Sequence, residues 1–158
     1  MSVAFRRESD EEHLEPKFEL PLPPGPNLVT RRGLAQIEAR ATALEAELAA
    51  APDDETRKVI KRQLRYWNTR RATAIVAPPP PAGEVAFGAR VDFLLKGKPR
   101  RIDLVGSDEA APDENRIPFT APLAAAMIGA GAGDVLEFNG NDDAIEIIAV
   151  TAIPEDEA

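Results

Sequence analysis

Residues 30–76 read TRRGLAQIEARATALEAELAAAPDDETRKVIKRQLRYWNTRRATAIV, and the rhythm of this stretch decides the fold. Leu34, Ile37, Ala41, Leu44 and Leu48 recur at alternating steps of three and four, the seam of a helix packed along one line against a partner. Ile60, Leu64, Trp67 and Ala74 keep nearly the same rhythm, with Gln63 and Arg71 interrupting it. Residues 50–56, AAPDDET, are too few for anything but a reversal, so the spacing predicts an antiparallel helical hairpin. Thr30 suits the N-cap of the first arm. Pro52 and the acids after it suit the start of the second, because proline needs no N–H there and carboxylates favour the positive end of a helix. Each arm of about 20 residues spans roughly 30 Å. The hairpin therefore ends in three consecutive carboxylates, Asp53, Asp54 and Glu55.

Those acids admit two readings, helix capping with solubility or a site that assists a metal ion. The second arm admits two as well. Arg57, Lys58, Lys61, Arg62, Arg65, Arg70 and Arg71 form either a solvated charged face or one that approaches an anionic cleft or RNA. Glu38, Glu45 and Glu47 on the first arm are the natural partners for some of them, each exposed pair contributing about 0.5 kcal/mol.

The chain has 158 residues, 44% of them hydrophobic, and a net charge of -8, which allows one moderate domain or two small ones. No apolar run approaches the length of a membrane span, and the N-terminus carries no hydrophobic signal segment. Without cysteine there is neither disulfide nor thiol chemistry, and a single histidine, His13, argues against a zinc site or histidine catalysis. A cytoplasmic protein is expected. The net acidity disfavours nonspecific nucleic-acid binding by the molecule as a whole.

Residues 1–26 alternate acids and prolines and read as an extended tail, with Phe5 and Phe18 as its only aromatics. The hairpin fills 27–77. Residues 78–82 contain four prolines and read as a stiff connector. From 83 to 154 the pattern changes to short strands, at 85–87, 90–95, 101–105, 135–138 and 144–153. Turns are expected at 96–99 and 139–142, a polar loop at 107–116, and an alanine-rich helix at 121–128 with Thr120 as its cap. The fold class is α+β, a coiled-coil hairpin followed by a small antiparallel sheet domain with one short helix.

Several motifs in these segments resemble the Gre family of bacterial transcription elongation factors, in a short-finger form. Leu28-Val29-Thr30-Arg31-Arg32-Gly33-Leu34 is similar to the family's entry into its coiled coil. Phe87-Gly88-Ala89-Arg90-Val91 looks like its Phe-Gly start of the C-terminal domain. Leu104-Val105-Gly106 followed by Asp108-Glu109-Ala110 resembles "IVG-x-x-E-A". Ile117 with Thr120-Ala121-Pro122-Leu123-Ala124 resembles "IS…SPLA", and Gly133-Asp134 its "GD" strand opener.

The resemblance implies an FKBP-like C-terminal domain that docks on RNA polymerase at the rim of its secondary channel, while the finger enters the channel. It implies Asp108, Glu109, Thr120, Ala121, Pro122 and Leu123 as polymerase contacts. It also implies that the tip acids help hold an Mg²⁺ shared with the polymerase, so that the polymerase hydrolyses the 3′ end of a backtracked transcript. The factor is then no enzyme, and it has no cofactor of its own, no membrane partner and no specific DNA site; nascent RNA is met only indirectly. The family's cleaving members separate their tip acids by two residues, whereas here they are consecutive and fan out by about 100° each on a helix. A non-cleaving regulator docked in the same channel is the alternative. The fold by itself also admits a peptide-binding or proline-isomerase-like module, but Tyr66 and Trp67 fall on the coil and no aromatic-lined pocket is evident. A stand-alone RNA-binding coil would need to overcome the net negative charge.

Overall fold

The computed structural model describes residues 19–155. Expectations for Phe5, His13, Phe18 and the rest of 1–18 lie outside the described residues. Glu19 to Pro26 form neither helix nor strand. The elements in order are β1 (Leu28–Val29), α1 (Arg31–Ala49), α2 (Asp54–Thr73), β2 (Ile75–Val76), β3 (Ala89–Leu95), β4 (Lys98–Val105), a 3-10 turn (Pro112–Glu114), β5 (Arg116–Pro118), α3 (Pro122–Met127), β6 (Val135–Phe138) and β7 (Asn141–Ala152). Among the described residues no helix is long and apolar enough to cross a membrane. Contacts divide the chain into two units, one of Ile37–Thr73 with the segment ending at Pro24, the other of Gly25–Gln36 with Ala74–Ala158.

In the first unit Leu44, Ala51 and Ile60 are buried together, with Leu48, Leu64 and Trp67 packed against them. The predicted seam thus forms, and Ile37 and Ala41 are buried along it as well. Trp67 meets Tyr66 edge to face at 5.1 Å. Between the helices, Arg71 reaches Glu45 at 3.6 Å and Arg40 reaches Gln63 at 3.5 Å. The second helix stops at Thr73, short of the expected Val76, and the Thr73 hydroxyl donates back to the Thr69 carbonyl at 2.8 Å.

In the second unit the residues just past that helix are claimed by another partner. Ile75 N–H donates to the Asn27 carbonyl at 2.8 Å and Ala77 N–H to the Val29 carbonyl at 3.1 Å, giving a two-strand parallel pair that the sequence did not announce. Gly106 lies against it so closely that a Cβ there would sit 2.4 Å from the Leu28 carbonyl oxygen, which explains the glycine.

The main sheet of this unit runs β5-β4-β3-β7-β6. It differs from the all-antiparallel expectation at one edge, where β5 pairs parallel with β4. The polar segment 107–116 supplies the crossover, through the 3-10 turn closed by Asn115 in the left-handed region. Both hairpin turns are two residues long rather than four. Lys96 and Gly97 have φ of 50° and 80°, and Asn139 and Gly140 have 52° and 77°, the doubly positive pattern that matches strand twist. Residues 98–99 and 141–142 therefore belong to strands.

Val91 and Phe93 of β3, Ile102 and Leu104 of β4, and Ile145 and Ile147 of β7 alternate onto one face and are almost wholly buried. Ala124 and Met127 of α3 cover them. Each such large side chain contributes about 1.5–3 kcal/mol by leaving water. β7 carries one extra residue opposite the Asp92/Phe93 step, which leaves Ile148 exposed. The strand expected at 85–87 does not form. Val85 is instead buried in a loop, exchanging backbone bonds with Ala130 and Gly129 at 2.8 Å each, and only Glu84 bridges to Gly131.

Candidate functional site

Asp53 is the N-cap of α2. Its Oδ1 accepts the Thr56 N–H at 2.7 Å, and that bond holds the carboxyl below the usual aspartate range. Glu55, in the first turn of the helix, lies 3.8 Å from the Lys58 ammonium. Asp54 is exposed and has no hydrogen bond or ion pair among the described residues. The turn thus places the three acids at one end of the hairpin but gives them different employment. Among the described residues no three metal-binding side chains are grouped to hold an ion. What the turn can offer is one or two carboxylate oxygens to an ion held mainly by something else, which suits Mg²⁺ with its many waters.

Along α2 the cations are partly engaged. Arg65 grips Glu19 through both carboxylate oxygens, at 2.5 and 3.1 Å, and this holds the Glu19 carboxyl below its usual range. Arg70 is buried, against the expectation of a continuous solvated face. Arg57, Lys58 and Lys61 remain exposed.

The segment suggested for docking divides. Thr120 and Pro122 are exposed and Ala121 half-buried, whereas Leu123 turns inward against the core. Ala121, not Thr120, is the N-cap of α3, without a side-chain cap bond. Asp108 is half-buried. Glu109 departs most from expectation. It is only 5% exposed, so its carboxylate cannot serve as a surface contact.

Glu109 is instead part of an internal latch. Thr30 Oγ1 donates to Glu109 Oε1 at 2.5 Å and accepts the Gly33 N–H at 2.9 Å, so one hydroxyl both caps α1 and holds the β4–β5 loop. Gly33 is needed because a Cβ there would come within 2.9 Å of Glu109 Oε1. Burial pushes the Glu109 carboxyl up, opposed by the Thr30 bond and by Arg32 and Arg116, and reinforced by Asp103. Its second oxygen is buried without a hydrogen bond. Thr-x-x-Gly at a helix start and Gly-x-x-Glu after a strand were visible in the sequence, but nothing in either motif names the other as its partner.

A pocket with an aromatic wall also exists, contrary to expectation. A cleft of about 350 Å³ is lined by Val29, Pro78, Pro79, Phe87 and Ile153, and Phe87 is steadied edge to face by Phe119 at 5.2 Å. Its walls are mainly apolar, with Thr30, Arg31 and Glu155 also among the lining residues.

Residues 80–152 match the family described as Transcription elongation factor, GreA/GreB, C-term. Transcription elongation factor GreA of Thioalkalivibrio sulfidiphilus is 41% identical over 75 residues, 45% of this chain and 48% of its own length. Transcription elongation factor GreB of Neisseria meningitidis is 33% identical over 103 residues, 61% of this chain and 63% of its own. The chain thus spans about half to three-fifths of the length of these relatives. GreA factor homolog 1 (Gfh1) of Thermus thermophilus, a solved structure, is 18% identical over 81% of this chain and 100% of its own, at a TM-score of 0.39, too loose a superposition to carry residue positions across.

Proposed function

We propose, for a chain that belongs to the GreA/GreB family through its C-terminal domain, that it is a cytoplasmic accessory factor of RNA polymerase, docked at the secondary channel. The observation that carries this reading is the family match over 80–152, a segment that contains the whole five-stranded sheet and α3. Thr120 and Pro122 offer the exposed part of the dock, and Asp108 is the half-buried candidate in the loop between β4 and β5. The helical hairpin supplies the part that enters the channel, its acids leading. Only in a cleaving form would the factor add carboxylate oxygens to the polymerase's own metal site, and in either form it is an accessory to that enzyme.

Within that reading the employment of the tip acids favours regulation over cleavage. Asp53 is committed to its cap and Glu55 lies near Lys58, so Asp54 is the one carboxylate of the three without such an engagement. A lone oxygen donor replaces a water on Mg²⁺ at little gain. The non-cleaving channel ligand is therefore the better supported form, and cleavage stimulation is the alternative. Adding the protein to a stalled, backtracked polymerase complex separates them. The expected result is retained binding, lost in a Thr120→Glu/Pro122→Glu variant, with no shortening of the transcript. Shortening that disappears in Asp54→Ala establishes the cleaving form, and failure to bind polymerase at all removes both.

A further inference from the structure

The turn between β3 and β4 reads KGKPRR over residues 96–101, four cations and no acid in a chain whose net charge is -8. Arg101 is occupied, bidentate to Asp92 at 2.7 and 3.3 Å. Lys96, Lys98 and Arg100 are exposed, and among the described residues no ion pair engages them. Lys98 stands opposite Leu95 and Arg100 opposite Phe93, so the two share one face of β4 at a separation of about 7 Å. β5 pairs only with Asp103, Leu104 and Val105, which leaves the outer edge of β4 open beside these cations. The acids nearest by topology are Asp92 on β3, already held by Arg101, and Asp142 and Asp143 at the start of β7, bordering Lys96, whose N–H donates to the Ala144 carbonyl at 2.8 Å. Lys98 and Arg100 lie two strand spacings from β7, about 10 Å away.

A protein partner would need an apolar anchor, and Pro99 alone offers any such surface in 96–101. A phosphodiester backbone needs only cations along a line. We propose that the β3–β4 turn is a contact for the backbone of a nucleic acid, made by Lys96, Lys98 and Arg100. With no aromatic side chain in 96–101 to stack on bases, the contact is indifferent to sequence and treats RNA and DNA strands alike. Charged residues on an open strand edge also deter edge-to-edge pairing, a role that charge of either sign fulfils. That difference in sign requirement separates the two roles.

The test titrates the full chain into a fluorescent single-stranded RNA 20-mer of mixed sequence and follows anisotropy over a salt series. The variants are Lys96→Gln/Lys98→Gln/Arg100→Gln, the same three positions to Glu, and Arg57→Gln/Lys61→Gln on α2. Three lost phosphate contacts at a slope of about 0.7 each lower the log-log salt dependence by about 2 and weaken binding at the lowest salt by about tenfold. The same decrement is expected when the Gln triple is added to the α2 variant, and the Glu triple, still monomeric, binds least. Unchanged affinity and slope in the Gln triple overturn the proposal. So does displacement of the RNA by an acidic peptide as efficiently as by unlabelled strand. Loss of monomer in the Gln triple but not the Glu triple, with RNA binding intact in both, also overturns it and leaves edge protection as the role. The readout uses no polymerase and stands or falls independently of the channel dock.

Discussion

Thr30 and Glu109 are 79 positions apart in the chain and share a hydrogen bond of 2.5 Å. One end of that bond caps a helix and the other closes a strand-to-strand loop, so the first turn of α1 and the β4–β5 loop form or fail together. Burial raises the Glu109 carboxyl above its ordinary 4.5. An acid that holds its proton more tightly in the folded chain contributes most to stability below its ordinary value, and that contribution is lost as pH rises through the raised one. Glu109→Gln should therefore flatten the dependence of melting temperature on pH from about 4.5 toward neutrality. Glu109→Ala should cost about 1–3 kcal/mol, since it strands the Thr30 hydroxyl. Melts of the parent and both variants across that pH range provide the check.

Gly106 faces the Leu28 carbonyl where a Cβ would have only 2.4 Å. Gly106→Ala must push backbone against backbone and should destabilise the second unit by about 1–3 kcal/mol. A denaturant midpoint no different from the parent's would contradict that packing.

Asp53 is expected to behave as a cap before anything else. Asp53→Ala should lower the helical content of the hairpin, while Asp53→Asn, which can still accept from Thr56 N–H, should nearly preserve it. Because the bond depresses the Asp53 pKa, its support is present above the ordinary 3.8 and is lost as pH falls through the depressed value. Circular dichroism on acidification should show this loss in the parent and not in Asp53→Asn.

Two cross-strand ion pairs sit side by side on β3 and β4, and they should differ in weight. Arg90 and Asp103 pair through two bonds of 2.8 and 3.0 Å with side chains only 18% and 14% exposed. Asp103→Ala should cost about 1.5–3 kcal/mol, as for other charged hydrogen bonds away from water. The Arg101 to Asp92 pair is the more exposed, at 59% and 33%, and Asp92→Ala should cost clearly less. Urea titrations of the two variants rank them.

What the sequence disclosed follows from periodicity and turn chemistry. Leu44, Leu48, Ile60 and Leu64 could be read as a seam because a helix repeats its face every three or four residues. Asn139-Gly140 could be read as a turn because both positions need positive φ. Leu28 with Ile75 could not, since two-residue strands are too short for any period to register. The parallel placement of Arg116–Pro118 was equally hidden, because nothing local distinguishes a parallel neighbour from an antiparallel one. Glu109 was misassigned to the surface for a related reason. A carboxylate in a polar run reads as solvated unless its partner is known, and Thr30 is remote in sequence. The three acids at the tip were located by sequence, but their division into a cap, a near neighbour of Lys58 and an unengaged group depended on where α2 begins.

The pairing of Leu28 with Ile75 has a consequence for how such a chain can vary. The strand that leads into the helices and the strand that leaves them are neighbours, and the sheet unit is assembled from Gly25–Gln36 and Ala74–Ala158 on either side of them. The intervening residues are, in topological terms, an insertion. Turns added to or removed from both arms in equal number leave the two ends where they already meet, so the length of the hairpin can drift while Phe93, Ile102 and Ile147 keep the same neighbours. Reach and fold can thus be inherited separately.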